Sequence, residues 1–127
     1  MPDHTLLLQI VRVALDVPVR HLFDYRVPDH DQLSTADIGY RVCVPFGQRQ
    51  MVGIIVELAA ASELPLAQLK PVTVVLRDLP RLPAAWFRLT EFCAAYYHAP
   101  LGQVMLSTLP AGLRSPAPAK ARVRRGK

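Results

Sequence analysis

Residues Leu6–Leu15 read Leu-Leu-Leu-Gln-Ile-Val-Arg-Val-Ala-Leu, an apolar run interrupted only by Gln9 and Arg12. Side chains along an extended chain point alternately to opposite faces. A run apolar at both odd and even positions is therefore a strand covered on two sides, or a strand of a closed barrel. Val17-Pro18 ends it, because proline has no N–H to give to the ladder. Working outward, Phe23–Val27 alternates and is stopped by Pro28 and the polar stretch Asp29-His30-Asp31-Gln32. Gly39 precedes a strand over Arg41–Val44. Another covers Met51–Leu58, where Gly53 marks a bulge or a close backbone neighbour, and Pro71–Leu76 gives a fifth. Short strands bounded by Gly or Pro predict a mostly β fold, a small barrel or sandwich.

The period changes after Pro80. Trp86, Leu89, Phe92, Cys93, Tyr96 and Tyr97 recur every three or four positions, which predicts a helix with one apolar stripe. Pro83 suits its first turn. Pro100 breaks it, and a second short helix is expected over Leu101–Leu109, before Pro110. From Ala111 the chain turns to Gly, Pro, Ala and basic residues, read as a linker or unstructured tail. The expected organisation is one domain over residues 1–110, with a barrel over about 6–79 and a helical part over about 82–109. Residues 111–127 then form the basic linker.

The 127 residues suffice for one domain, and 51% apolar content is enough to bury a core. No run approaches the roughly 20 apolar residues a membrane helix needs. The start, Met1-Pro2-Asp3-His4, lacks the order of a signal peptide. A cytoplasmic, non-membrane protein is expected. The net charge of +5 is local: Arg114, Lys120, Arg122, Arg124, Arg125 and Lys127 fall in an acid-free C-terminal stretch. The preceding 113 residues carry nine basic against ten acidic groups. Charge alone does not suggest a protein that grips many phosphates along a duplex.

Neither G-x-x-x-x-G-K-[ST] nor G-x-G-x-x-G occurs. His4, His21, His30 and His98 share no metal-ligand spacing and read as surface or turn residues. Ser34, Ser62, Ser107 and Ser115 lie in no nucleophile-elbow pattern. Cys43 and Cys93, far apart and without C-x-x-C, read as small buried hydrophobes. The chain reads as a binding module rather than an enzyme, with no cofactor of its own.

Three local features remain. Phe23-Asp24-Tyr25 places an acid between two aromatics; plain alternation puts the rings in the core and Asp24 in water. Pro45-Phe46-Gly47 joins two strands and suits a hairpin turn with Gly47 at positive φ. Lys70, just before Pro71, is by itself a solvated surface charge.

Taken with their neighbours, these features resemble a known family. The segments are Phe23-Asp24-Tyr25-Arg26-Val27-Pro28, Gly39–Gly47, Ser62-Glu63-Leu64-Pro65-Leu66 with Leu69-Lys70, and Tyr96–Gly102 with Leu109-Pro110. In this order and spacing they are similar to the N-terminal region of the primosomal protein N′ (PriA) family, the bacterial replication-restart helicases. The similarity runs over about residues 6–114. It implies an OB-like β-barrel with helical additions, akin to the C-terminal domain of methionyl-tRNA formyltransferase. It also implies a module that binds the 3′ end of the nascent leading strand at a stalled fork, largely independently of sequence. The family's terminal-nucleotide pocket maps onto Phe23, Asp24, Tyr25, Gly47 and Lys70. Helicase activity, ATP with Mg and zinc belong in that family to parts absent here, so the chain is expected to be an excised domain. Primosome proteins and single-stranded-DNA-binding protein are implied as partners of the longer protein.

Such a pocket makes physical sense. An aromatic face stacks on any base, at about 1–3 kcal/mol. An ionised carboxylate only accepts hydrogen bonds, which suits a terminal hydroxyl or a base amino group. Gly47 admits close backbone approach, and Lys70 suits the phosphate behind the last sugar. Strict alternation, however, cannot aim Asp24 and both rings into one pocket. Either a bulge intervenes or one ring is core, and Phe23 is the choice for the core. Two rivals share the fold class: an RNA- or tRNA-binding barrel, and a protein-interaction barrel with no nucleic-acid role.

Overall fold

The run apolar on both faces forms a strand that is buried on both. The computed structural model of the protein describes residues 9–28 and 33–114. Leu6–Leu8 of the expected first strand, the polar stretch Asp29–Gln32 and the basic tail from Ser115 lie outside the described residues. Strand β1 (Ile10–Leu15) has Val11, Val13 and Leu15 on one face and Ile10 and Ala14 on the other, all at most 2% exposed. Strands β2 (Phe23–Arg26), β3 (Arg41–Phe46), β4 (Arg49–Ala59) and β5 (Val74–Leu76) complete a five-stranded sheet in the order β2-β1-β4-β3-β5, every pairing antiparallel.

The sheet curls until its ends meet. The N–H of Arg26 donates to Lys70 O at 3.0 Å and the N–H of Val72 to Arg26 O at 3.0 Å, so β2 meets the segment before β5 in a short parallel bridge. Two features help the curl. Between Arg12 and Val13 the register with β4 slips from Glu57 to Ile55, leaving Val56 as an extra residue that sharpens the local twist. Gly53 is the close neighbour its sequence position suggested: a Cβ there would stand 2.6 Å from Ala14 O.

Two cores result. Inside the barrel, Val11, Val13 and Leu15 meet Tyr25, Leu33, Val42, Val44, Ile55, Leu58, Val72 and Val75. Outside it, Ala14 and Ile54 are covered by Met105, Leu106 and Leu109. The cover is helix α2 (Leu101–Ser107), shorter than the expected span, packed beside helix α1 (Ala84–Tyr96). Gly102 lets α2 lie directly on the end of β1; any Cβ at that position would overlap Leu15 O.

Three features differ from a plain reading of the sequence pattern. The stripe on α1 does not face the core: Leu89, Phe92, Tyr96 and Tyr97 are 60–71% exposed, with Phe92 stacked on Tyr96 and Tyr96 edge-on to Tyr97. Helix α1 instead buries Thr90 and Ala94, with Trp86 and Phe87 against the outer core. Small side chains permit close approach there, and the Thr90 hydroxyl is satisfied by the carbonyls of Trp86 and Phe87. Second, Ala111–Arg114, at the start of the expected linker, forms a 3-10 turn, with Leu113 against the outer core and its carbonyl accepting from buried Arg41 at 3.0 Å. Third, Cys43 is buried as expected, with its thiol pKa pushed up by burial, but Cys93 is only half-buried.

Candidate nucleic-acid interface

Strand pairing sets where each candidate residue points. The β1–β2 register runs without a bulge, pairing Val11 with Tyr25, Arg12 with Asp24 and Val13 with Phe23. Tyr25 therefore faces inward beside Val11, 5% exposed, and its hydroxyl donates to Pro45 O at 2.8 Å. Burial pushes the phenol up to about 12. Tyr25 is thus the fully buried ring, while Phe23, the ring expected in the core, packs against the same interior cluster but is only half-buried. Phe23, at the strand's first position, is half-buried at the barrel mouth, its ring 4.9 Å from His21 and edge-on to Phe46 at 5.4 Å.

Asp24 points to the outer face, beside Arg12. Its Oδ1 accepts from Arg12 Nε at 3.2 Å and its Oδ2 from Ser62 Oγ at 2.5 Å. Arg12 reaches on to Glu57 Oε2 at 3.3 Å and to Ala61 O at 3.2 Å. Ser62 Oγ in turn accepts the N–H of Leu64 at 3.3 Å, which shapes the loop after β4. An open groove of about 680 Å³ follows, lined by Arg12, His21, Leu22, Phe23, Asp24 and the loop residues Ser62, Glu63 and Leu64.

Of the five expected residues, the groove brings together Phe23 and Asp24. Tyr25 lies behind it, tying β2 to the end of β3, just before the β3–β4 turn. Gly47, in that turn, adopts φ +63°, as a hairpin glycine should, with open space where a Cβ would stand. It neighbours Phe46 but does not line the groove. Lys70 is exposed and lies on the barrel seam through its carbonyl, also outside the lining. Sequence reasoning missed Arg12 and Ser62. The available signal was that Arg12 interrupts a run otherwise apolar on both faces.

The groove joins the Phe23 ring to the hydrogen-bonded Arg12–Asp24–Ser62 set, and the frame is a small closed barrel. Such a frame with a lateral groove is the architecture of an oligonucleotide-binding module. The comparisons agree. Residues 12–110 match the family model of the PriA 3′ DNA-binding domain. The chain is 40% identical to the replication restart protein PriA of Haemophilus influenzae over 108 residues, 85% of this chain and 14% of that protein. It is 33% identical to PriA of Synechocystis over 104 residues, 80% of the chain and 12% of the relative. PriA of Buchnera aphidicola from Acyrthosiphon pisum is 27% identical over 106 residues, 84% and 14% respectively. The chain belongs to the PriA 3′ DNA-binding-domain family. It is a DNA-binding domain, not itself catalytic, and it spans only 14% and 12% of the lengths of the first two relatives named here. Neither the tRNA-binding nor the protein-interaction alternative finds support.

Proposed function

We propose that the groove over β2 receives the 3′-terminal nucleotide of a DNA strand, with Asp24 as the group that reads the end. The observation that carries this reading is the carboxylate itself. It stands in an open groove beside the Phe23 ring, each oxygen held by one protein donor. A carboxylate so held accepts from a hydroxyl or amino group and repels a terminal phosphate. Phe23 is the stacking face, Tyr25 positions the strand beneath it, and Gly47 leaves the approach past Phe46 open. Lys70 holds the phosphate behind the last sugar.

In the longer protein this domain works at stalled forks beside ATPase lobes that supply helicase activity. ATP with Mg and zinc belong to parts of the longer protein outside this chain, and this chain requires no cofactor. Primosome proteins and single-stranded-DNA-binding protein are its partners there, in the cytoplasm.

The test is an equilibrium titration of oligonucleotides that differ only in a 3′-hydroxyl or a 3′-phosphate. The hydroxyl end should bind more tightly. Asp24→Ala should cost about 1.5–3 kcal/mol at the hydroxyl end, while Asp24→Asn should weaken it less and relieve the rejection of phosphate. Lys70→Ala should weaken both ends alike. An unchanged hydroxyl-to-phosphate ratio in a folded Asp24→Asn domain defeats the reading.

A further inference from the structure

We infer that Arg12 is the positioning residue that lets Asp24 face DNA: it aims the carboxylate and offsets its charge. The inference rests on the assignment of the groove to the 3′ end. Arg12 stands on the outer face of β1, directly opposite Asp24 on β2 and Glu57 on β4. Its guanidinium is spread over three partners: Asp24 Oδ1 at 3.2 Å, Glu57 Oε2 at 3.3 Å and Ala61 O at 3.2 Å. The last contact pins the residue before Ser62, whose hydroxyl holds the other oxygen of Asp24 at 2.5 Å. One side chain thus fixes the carboxylate directly and, through the loop, indirectly. Lysine has no planar fork with which to do both.

Among the groove's lining residues the formal charges are those of Arg12, Asp24 and Glu63, with Glu57 just behind Arg12. Among the described residues, Arg12 is the lining's single fixed cation. Without it the wall presents only carboxylates, and a polyanion approaching an end-reading acid meets uncompensated like charge. Arg12 itself is only part-exposed and already engaged. Its effect on DNA therefore runs through Asp24 rather than through a phosphate of its own.

A double-mutant cycle separates the indirect role from a direct one. Arg12→Gln should weaken hydroxyl-ended DNA about tenfold, through the lost aim and the unmasked charge. It should raise the hydroxyl-to-phosphate affinity ratio about fivefold, because Asp24 then repels a terminal phosphate unopposed. In the Asp24→Asn background the same substitution should leave the ratio unchanged. Arg12→Lys keeps the charge, so it should hold the wild-type ratio while losing several-fold in affinity. It also serves as the test if the Gln variant does not fold. A ratio effect of Arg12→Gln that persists undiminished in the Asp24→Asn background overturns the inference, since Arg12 then contacts DNA directly. So does a wild-type ratio in a folded Arg12→Gln domain, or a shifted ratio in Arg12→Lys. An Asp24→Asn domain that alone keeps the wild-type ratio fails differently: it removes the site assignment, and the inference with it.

Discussion

Strands β1 and β2 turn two unlike faces outward from the same backbone. One carries Val11, Val13 and Tyr25 into the barrel; the other carries Arg12 and Asp24 to the groove. Removing a group from the first face leaves a hole or an unpaired carbonyl, whereas removing one from the second leaves an unpaired charge in reach of water. The inward side chains of this strand pair thus hold the barrel, Phe23 among them also reaching the groove, while Arg12 and Asp24 line the groove from the opposite face. The two helices show a second division: α2 is pressed onto β1, while α1 leaves a row of aromatic rings uncovered.

The largest expected effect comes from breaking the support behind β1. Gly102→Ala sets a Cβ against the Leu15 backbone, which cannot yield as the end of a flexible side chain does. It should cost about 3 kcal/mol, at the upper end of overpacking effects. That corresponds to a fall in Tm of more than about 12 °C. Urea unfolding with little change would show that β1 does not depend on the close seating of α2.

Next comes the inward face of β2. Tyr25→Phe leaves Pro45 O without its donor and should cost about 1–3 kcal/mol. It also carries a pH signature. The phenol of Tyr25 is raised from 10.0 to about 12 in the fold. The folded domain thus holds this proton more tightly than the unfolded chain, so the contribution is complete below pH 10 and declines as pH rises toward 12. Roughly 2 to 3 kcal/mol is at stake across that window. The Phe variant should lack this part of the alkaline loss, which a stability series from about pH 9 to about pH 12 measures against wild type.

The smallest effect sharpens the contrast between helices. Phe92→Ser, on the uncovered face of α1, should change stability by no more than about 0.5 kcal/mol. A loss of several times that amount, seen by thermal unfolding of the isolated domain, would place Phe92 in the outer core after all.

Much of this arrangement was legible in the residues. The apolar run at Ile10–Leu15 announced a strand buried twice over, and Gly or Pro marked the limits of each β element to within a few positions. Alternation also placed Asp24 correctly on the face opposite Tyr25. The choice between the two rings was not legible, because it depends on position along β2. Phe23 opens β2, while Tyr25 is two pairs further along, where the Pro45 carbonyl waits. The Arg12 network was hidden for a related reason: Arg12, Asp24, Glu57 and Ser62 are distant in sequence and meet only through the register of three strands and a loop. On α1, periodicity located the apolar stripe, but a stripe says nothing about what covers it. The helix was instead docked through Thr90 and Ala94, whose small size is the opposite of a core signal.

The seam between Arg26 and the Lys70–Val72 segment has a consequence in time as well as in space. Its partners are more than forty residues apart in sequence and are joined by two backbone hydrogen bonds. Closing so long a loop is entropically slow, and the return is small until the interior is filled. On a growing chain, β2 emerges early and must wait for Val72 before its outer edge is paired. Over that interval the strand that carries Asp24 offers a free edge to any neighbouring chain. Its brevity, four residues, limits that exposure.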